Sequence, residues 1–132
     1  MKKVLLVDDD KDLLRDLGQV LRDEGYDVAT ATTATEGLRV ALSFRPDVIV
    51  LDVLMETDTA GFEFAYQLRS ERADSRYREI RTTPIVLLTA INQRTHFRFS
   101  LNEKASFLPD NVEMLTKPVQ IEALLGRLQE AG

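Results

Sequence analysis

Three short runs, Val4-Leu5-Leu6-Val7, Val48-Ile49-Val50-Leu51 and Ile85-Val86-Leu87-Leu88, contain no polar residue and are rich in β-branched side chains. A strand with one face in water alternates polar with apolar residues. An unbroken run therefore reads as a strand covered on both faces, the situation of central strands in a parallel sheet. Residues 26–31 and 112–116 mix polar with apolar side chains, as edge strands do. Parallel neighbours cannot be joined by a tight hairpin and need crossovers of a dozen or more residues. Five strands with three inside, separated by crossovers, is the arrangement these runs demand.

The crossovers have helical signatures. Leu13, Leu14, Leu17, Val20 and Leu21 recur at helical spacing, and Gly25 follows as a stop signal. Thr33 and Glu36 have capping-box spacing ahead of Leu38, Ala41 and Leu42, and Pro46 pushes Arg45 out of helical geometry before the third strand. Phe62, Ala65, Tyr66 and Leu68 open a third helix, and Ile121, Leu124, Leu125 and Leu128 form the stripe of a last one after Pro118. Between Leu88 and Val112 no helix boundary can be read. Right-handed crossovers with the three apolar strands innermost are satisfied by the order 2-1-3-4-5. That is an α/β, flavodoxin-like doubly wound sheet of five parallel strands with helices on both faces. Its ligand site lies between the carboxyl ends of strands 1 and 3, where the strand order reverses.

Composition narrows the chemistry. A chain of 132 residues supports one core, so 1–132 reads as a single domain with no effector domain visible in it. Zero cysteines and a lone His96 exclude thiolate zinc sites, cysteine nucleophiles and multi-histidine metal sites. Any metal must be held by oxygen. The net charge of −5 disfavours nucleic acid and anionic lipid as partners. No apolar run approaches a membrane span, and the first residues are too short for a secretory signal, which makes the cytoplasm the expected location.

Polar residues collect at one edge of the expected sheet. Strand 1 runs into Asp8-Asp9-Asp10, strand 3 into Asp52, strand 4 into Thr89 and strand 5 into Lys117. Taken singly, each has an ordinary explanation: acids at a helix N-terminus, a solvated strand end, a turn threonine, a solvated lysine. Taken together, two carboxylates about 5 Å apart repel by roughly 3 kcal/mol at an effective dielectric of 20, a cost that a cation in the gap removes. A hard divalent ion with few protein ligands and open water positions is Mg²⁺, the ion of phosphate chemistry. Asp10 is assigned to capping the helix that follows.

In these residues the chain resembles the receiver domains of two-component response regulators, exemplified by the bacterial chemotaxis regulator. The resemblance covers essentially the whole chain. It rests on Val7-Asp8-Asp9-Asp10, on Asp52-Val53-Leu54-Met55 followed by Gly61, on Thr89-Ala90 and on Lys117-Pro118. It implies that Asp52 is the phosphoacceptor and also a Mg²⁺ ligand, that Asp9 binds Mg²⁺ directly and Asp8 mainly through water, and that the Leu54 carbonyl completes the protein's ligands. It implies too that Thr89 and Lys117 contact phosphoryl oxygens, with the small Ala90 leaving room. The expected partners are a histidine kinase or histidine phosphotransfer protein and an unidentified downstream protein. The expected state is a monomer or a phosphorylation-dependent dimer, and the domain is a phosphoacceptor, not a turnover enzyme.

The sequence departs from the family in several places. Glu56 stands where proline is usual, Gly61 comes one place late, and Met114 replaces the aromatic three residues before the lysine. Glu56 or Asp58 is expected near the cation or on a solvated loop. Phe97, Phe99 or Phe107 is a candidate substitute for the missing aromatic. Leu54 and Ile91 flank the expected path of hydrolytic water, and two apolar side chains cannot orient it, so self-dephosphorylation should be slow. The segments 69–83 and 91–111 exceed family norms. Arg69, Arg72, Arg76, Arg78 and Arg81 are expected on a solvated helix face interleaved with Glu71, Asp74 and Glu79. Two rival readings remain: a phosphatase of the haloacid dehalogenase type, whose Asp-x-Asp pair is formally present in Asp8-Asp9-Asp10, and a receiver-like interaction module that is not phosphorylated.

Overall fold

The computed structural model describes residues 2–52, 60–69, 75–80, 82–89, 112–116 and 120–131. Five strands, β1 (Lys3–Val7), β2 (Asp27–Ala31), β3 (Val48–Asp52), β4 (Ile85–Thr89) and β5 (Val112–Thr116), form one sheet in the order β2-β1-β3-β4-β5 with every pair parallel. The runs read as buried strands are buried: every residue of β3 and all but the first of β1. Val7 pairs with Leu51 and Asp52 with Leu88, so the three apolar strands run in register to a common carboxyl edge.

Strand periodicity sends alternate residues to opposite faces. Leu5, Val7, Ile49, Leu51, Ile85 and Leu87 pack with Leu38, Ala41, Phe64, Ala65 and Leu68 on the side of α2 (Ala34–Phe44) and α3 (Ala60–Leu68). Val4, Leu6, Val48, Val50, Val86 and Leu88 pack with Leu14, Leu17, Leu21, Leu124 and Leu128 on the side of α1 (Lys11–Asp23) and α4 (Ile121–Ala131). Each such leucine or isoleucine contributes about 1.5–3 kcal/mol by leaving water. The unbroken runs are thus two interleaved stripes, one for each helical layer.

Local signals set the helix ends. The Asp10 carboxylate accepts from the N–H groups of Asp12 and Leu13, each at 3.1 Å, and starts α1. The Thr33 hydroxyl accepts from the Glu36 N–H at 3.1 Å and starts α2. Gly25 follows α1 at φ +93, a conformation that side chains other than glycine's resist. Arg45 ends α2 at φ 51, a left-handed cap, where a residue before proline is ordinarily extended. Its N–H still donates to the Ala41 carbonyl at 3.0 Å, completing the last helical turn before the chain reverses into Pro46.

The third helix forms where it was expected and buries Phe64, Ala65 and Leu68, while Tyr66 is 43% exposed. Two residues along a helix turn through about 200°, so Tyr66 must lie opposite Phe64. β2 begins at Asp27, one residue after Tyr26. The arginines at 76 and 78 are exposed as expected, but on successive turns spanning 76–80, not on a helix. That segment is held from beneath: Ile80 joins the α2–α3 core, Tyr77 packs against it, and Glu79 pairs with Arg45 at 2.6 Å.

Candidate functional site

β1 does not stop bonding at its last residue. The Asp8 N–H donates to the Ala31 carbonyl at 3.1 Å, carrying the pairing with β2 one step further. Asp8 is thereby fixed at the carboxyl edge with only 3% of its surface exposed. Its Oδ1 accepts from the Asp10 N–H at 2.9 Å, and the Asp10 side chain in turn caps α1. The chain leaves β1 through two consecutive carboxylate-to-amide turns, the first holding a site acid and the second starting a helix. Asp9 lies between them, exposed.

Asp52 is the last residue of β3 and 5% exposed. One carboxylate oxygen from each of Asp8, Asp9 and Asp52 falls within 4.8 Å of the others. At that spacing each pair of charges repels by about 3 kcal/mol at an effective dielectric of 20. Burial of two of the three removes much of the solvent that would screen them. Such a set fits a small hard cation: the donors are all oxygen, they converge from two adjacent strands, and Asp9 leaves the cluster open to solvent on one side. Among the described residues it contains no thioether, thiolate or imidazole donor, which disfavours soft metals.

The remaining expected residues divide by place. Thr89 closes β4, one residue beyond the Leu88 that pairs with Asp52, so its backbone belongs to the same edge. Met114 lies within β5 opposite Leu87. β5 ends at Thr116, the residue before Lys117. Leu54, Ala90 and Lys117 lie outside the described residues, as do Glu56, Asp58, Ile91, Phe97, Phe99 and Phe107.

Two supporting contacts escaped the sequence reading. The Asp10 amide holding Asp8 was legible in principle, since an aspartate two residues before a helix cap is placed for such a turn. The other is Gly37. A Cβ built there would lie 2.9 Å from a Val7 methyl and 3.1 Å from the Phe64 ring, so α2 approaches β1 closely just before Asp8. No spacing rule announces that approach.

Residues 4–129 match the family model described as the response regulator receiver domain. Response regulator MprA of Mycolicibacterium vanbaalenii is 35% identical over 128 residues, which are 96% of this chain and 48% of that protein. MprA of Mycobacterium avium is likewise 35% identical, over 96% of this chain and 49% of its own length. The chain therefore spans about half the length of these curated relatives. Among solved structures, chemotaxis response regulator CheY4 of Vibrio cholerae superimposes with a TM-score of 0.75 at 34% identity, covering 100% of this chain and 99% of that one. The receiver domain of Francisella response regulator 1452 gives a TM-score of 0.76 at 26% identity, covering 99% and 96%.

Proposed function

The chain belongs to the response regulator receiver family of two-component systems, and on that premise we propose that Asp52 is its phosphoacceptor, served by Mg²⁺ held at Asp8 and Asp9. The observation that carries the reading is the convergence of the three carboxylates within 4.8 Å, two of them buried. Members of this family are phosphoacceptor signalling domains, and the donor proposed here is a phosphohistidine on a histidine kinase or phosphotransfer protein. An Asp52 carboxylate oxygen attacks phosphorus; the new O–P bond forms as the P–N bond to the donor imidazole breaks, and the imidazole leaves with a proton from solvent. Mg²⁺, when bound, supplies charge neutralisation at the phosphoryl oxygens.

The chain's own residues do the rest. Asp52 is held at the end of a fully buried strand, so its carboxylate is presented without a search through rotamers of a mobile loop. Asp8, tethered through the Asp10 amide, and Asp9, open to solvent, offer ligands from one side. The Leu54 carbonyl completes the ligand set in this proposal. Thr89 and Lys117 receive the phosphoryl oxygens, beside the small Ala90. Phosphorylation adds negative charge and acceptor oxygens at the carboxyl edge, which draw Thr89 inward and alter a surface read by a downstream protein. Among the described residues no helix is long and apolar enough to cross a membrane.

Treatment with acetyl phosphate, with and without Mg²⁺, followed by intact mass measurement, tests this. The expected result is one phosphoryl group per chain, dependent on Mg²⁺ and absent from Asp52→Asn. Catalytic release of phosphate from small esters would favour the phosphatase reading instead. No label on the wild-type chain under any condition would leave the interaction module.

A further inference from the structure

The first turn of α2 carries glycine, which holds a helix less well than alanine, so Gly37 needs a reason to be there. Its N–H closes that turn on the Thr33 carbonyl at 2.9 Å, and the residue is buried. Space supplies the reason. A Cβ at Gly126 would meet nothing within 4 Å, and one at Gly18 nothing nearer than 3.5 Å. At Gly37 it would stand 2.9 and 3.1 Å from the two Val7 methyls and 3.1 Å from the Phe64 ring. We propose that Gly37 is a positioning residue for the metal: by letting α2 approach β1 this closely, it sets Asp8 at Mg²⁺ spacing from Asp52. The proposal rests on the Mg²⁺ reading of the three carboxylates.

Nothing at this contact can swing aside. Val7 is β-branched and buried, which restricts its rotamers, and Phe64 is buried in a close-packed layer. The nearest contact is with Val7, so a side chain at position 37 parts α2 from β1. Both sides of that gap lead to Asp8. β1 carries Asp8 directly after Val7. α2 is joined through Thr33 and Thr32 to Ala31, whose carbonyl accepts the Asp8 N–H at 3.1 Å. Asp52 stands at the end of the neighbouring strand, so a shift of Asp8 changes the spacing between the two acids.

Mg²⁺ is the ion that registers such a shift. It demands near-ideal octahedral geometry at about 2.0–2.1 Å, while Ca²⁺ accepts irregular ligand sets at about 2.3–2.6 Å. The displacement an added Cβ enforces here is a few tenths of an ångström. That is a large error for the smaller ion and a tolerable one for the larger. Gly37 accordingly sets the preference for Mg²⁺ over Ca²⁺ as well as the affinity.

The test titrates the full chain with Mg²⁺ and with Ca²⁺ by calorimetry, after circular dichroism has shown each variant folded. Gly37→Val should weaken Mg²⁺ binding about tenfold, the lower end of what losing support around a metal site costs, and Ca²⁺ binding by clearly less. Gly37→Ala should move both affinities the same way by smaller factors. It gains helix propensity, and so keeps the test open should Gly37→Val not fold. Val7→Ala removes both methyls that the new side chain meets. Added to Gly37→Ala, it should restore Mg²⁺ affinity to within about twofold of wild type, even though the cavity it opens lowers the denaturation midpoint. A merely structural glycine would show the opposite: lower midpoints with the ion affinities of the folded chain unmoved. Unchanged Mg²⁺ affinity in the folded Gly37 variants, equal losses for the two ions, or a double variant that binds Mg²⁺ as weakly as Gly37→Ala overturns the proposal. A wild-type chain that binds no Mg²⁺ overturns the reading of the site itself, a failure seen before any variant is made.

Discussion

The two ends of the sheet treat charge in opposite ways. At the amino end, cations sit on helix C-termini. Lys2 Nζ donates to the Leu128 carbonyl of α4 at 2.6 Å, and Lys3 Nζ donates to the Phe44 carbonyl of α2 at 3.2 Å while lying 5.4 Å from the Phe44 ring centre. The Asp47 carboxylate accepts from the Lys3 N–H at 2.8 Å, and Arg45 meets Glu79. Each charge there faces its complement, a carbonyl dipole, an amide or an opposite ion. At the carboxyl end three like charges crowd together, two of them buried. The same scaffold carries both. Where opposite charges meet they fasten the fold, and where like charges crowd together the fold bears a cost that a bound cation lowers.

Replacing Asp52 tests that contrast most severely. Asp52→Asn removes two of the three repulsive pairs together with the nucleophile. Phosphoryl labelling should vanish, yet the metal-free variant should melt above the metal-free wild type, because a repulsion of about 3 kcal/mol per pair is lifted. Mg²⁺ should raise the melting temperature of the wild type, and raise that of the variant far less, since stabilisation by a ligand follows its affinity for the native state. Calorimetry with and without Mg²⁺ reads both effects. A metal-free variant that melts lower than wild type would refute the idea that the acids oppose folding.

Two smaller perturbations probe how the carboxyl end is held. Gly37→Leu drives a side chain into Val7 and Phe64, both buried and stiffly packed. Overpacking of this kind costs about 1–3 kcal/mol or more, so chemical denaturation should show a midpoint well below wild type. Asp10→Ala removes the α1 cap at a cost of about 1 kcal/mol. It also frees the backbone whose N–H holds Asp8, so Mg²⁺ affinity should fall. Asp10→Asn keeps the cap while removing the charge. Its Mg²⁺ affinity, measured by titration, should stay near wild type if positioning dominates, and should fall as in Asp10→Ala if simple electrostatics does.

How much of this was legible depends on the range of the interaction. Val4 to Val7, Val48 to Leu51 and Ile85 to Leu88 announced their strands because burial on both faces leaves no room for a polar residue, and with right-handed crossovers that fixed the strand order. Asp8, Asp9 and Asp52 could be placed together because strand ends and register fix an edge. Thr33, Gly25 and Asp10 were legible as local stop and start signals. The third helix was legible, but which of its rings faces inward was not: Phe64 packs where Val7 and Gly37 meet, and Tyr66 is left exposed. The turns at 76–80 have the charge alternation of a solvated helix; what shapes them is Ile80 reaching a core formed by residues far away in sequence. The Lys2 and Lys3 bonds to helix carbonyls are likewise set by tertiary placement, and nothing in the local sequence marks them.

The smallest effect belongs to the amino end and separates pairing from backbone strain. The Arg45–Glu79 pair is 2.6 Å long, but both side chains are 61% exposed, so solvent discounts it to between about 0 and 1 kcal/mol. Glu79→Gln should lower the denaturation midpoint slightly, and the loss should shrink in high salt. Arg45→Gly removes the same pair but relieves a left-handed conformation that costs a side-chain-bearing residue about 1 kcal/mol. The two variants should therefore move stability in opposite directions, or Arg45→Gly should at least be the milder. Neither should alter Mg²⁺ affinity, because no charge at this end contributes to the carboxylate cluster at the other. A shift in Mg²⁺ affinity in either variant would break the separation between the two ends of the sheet.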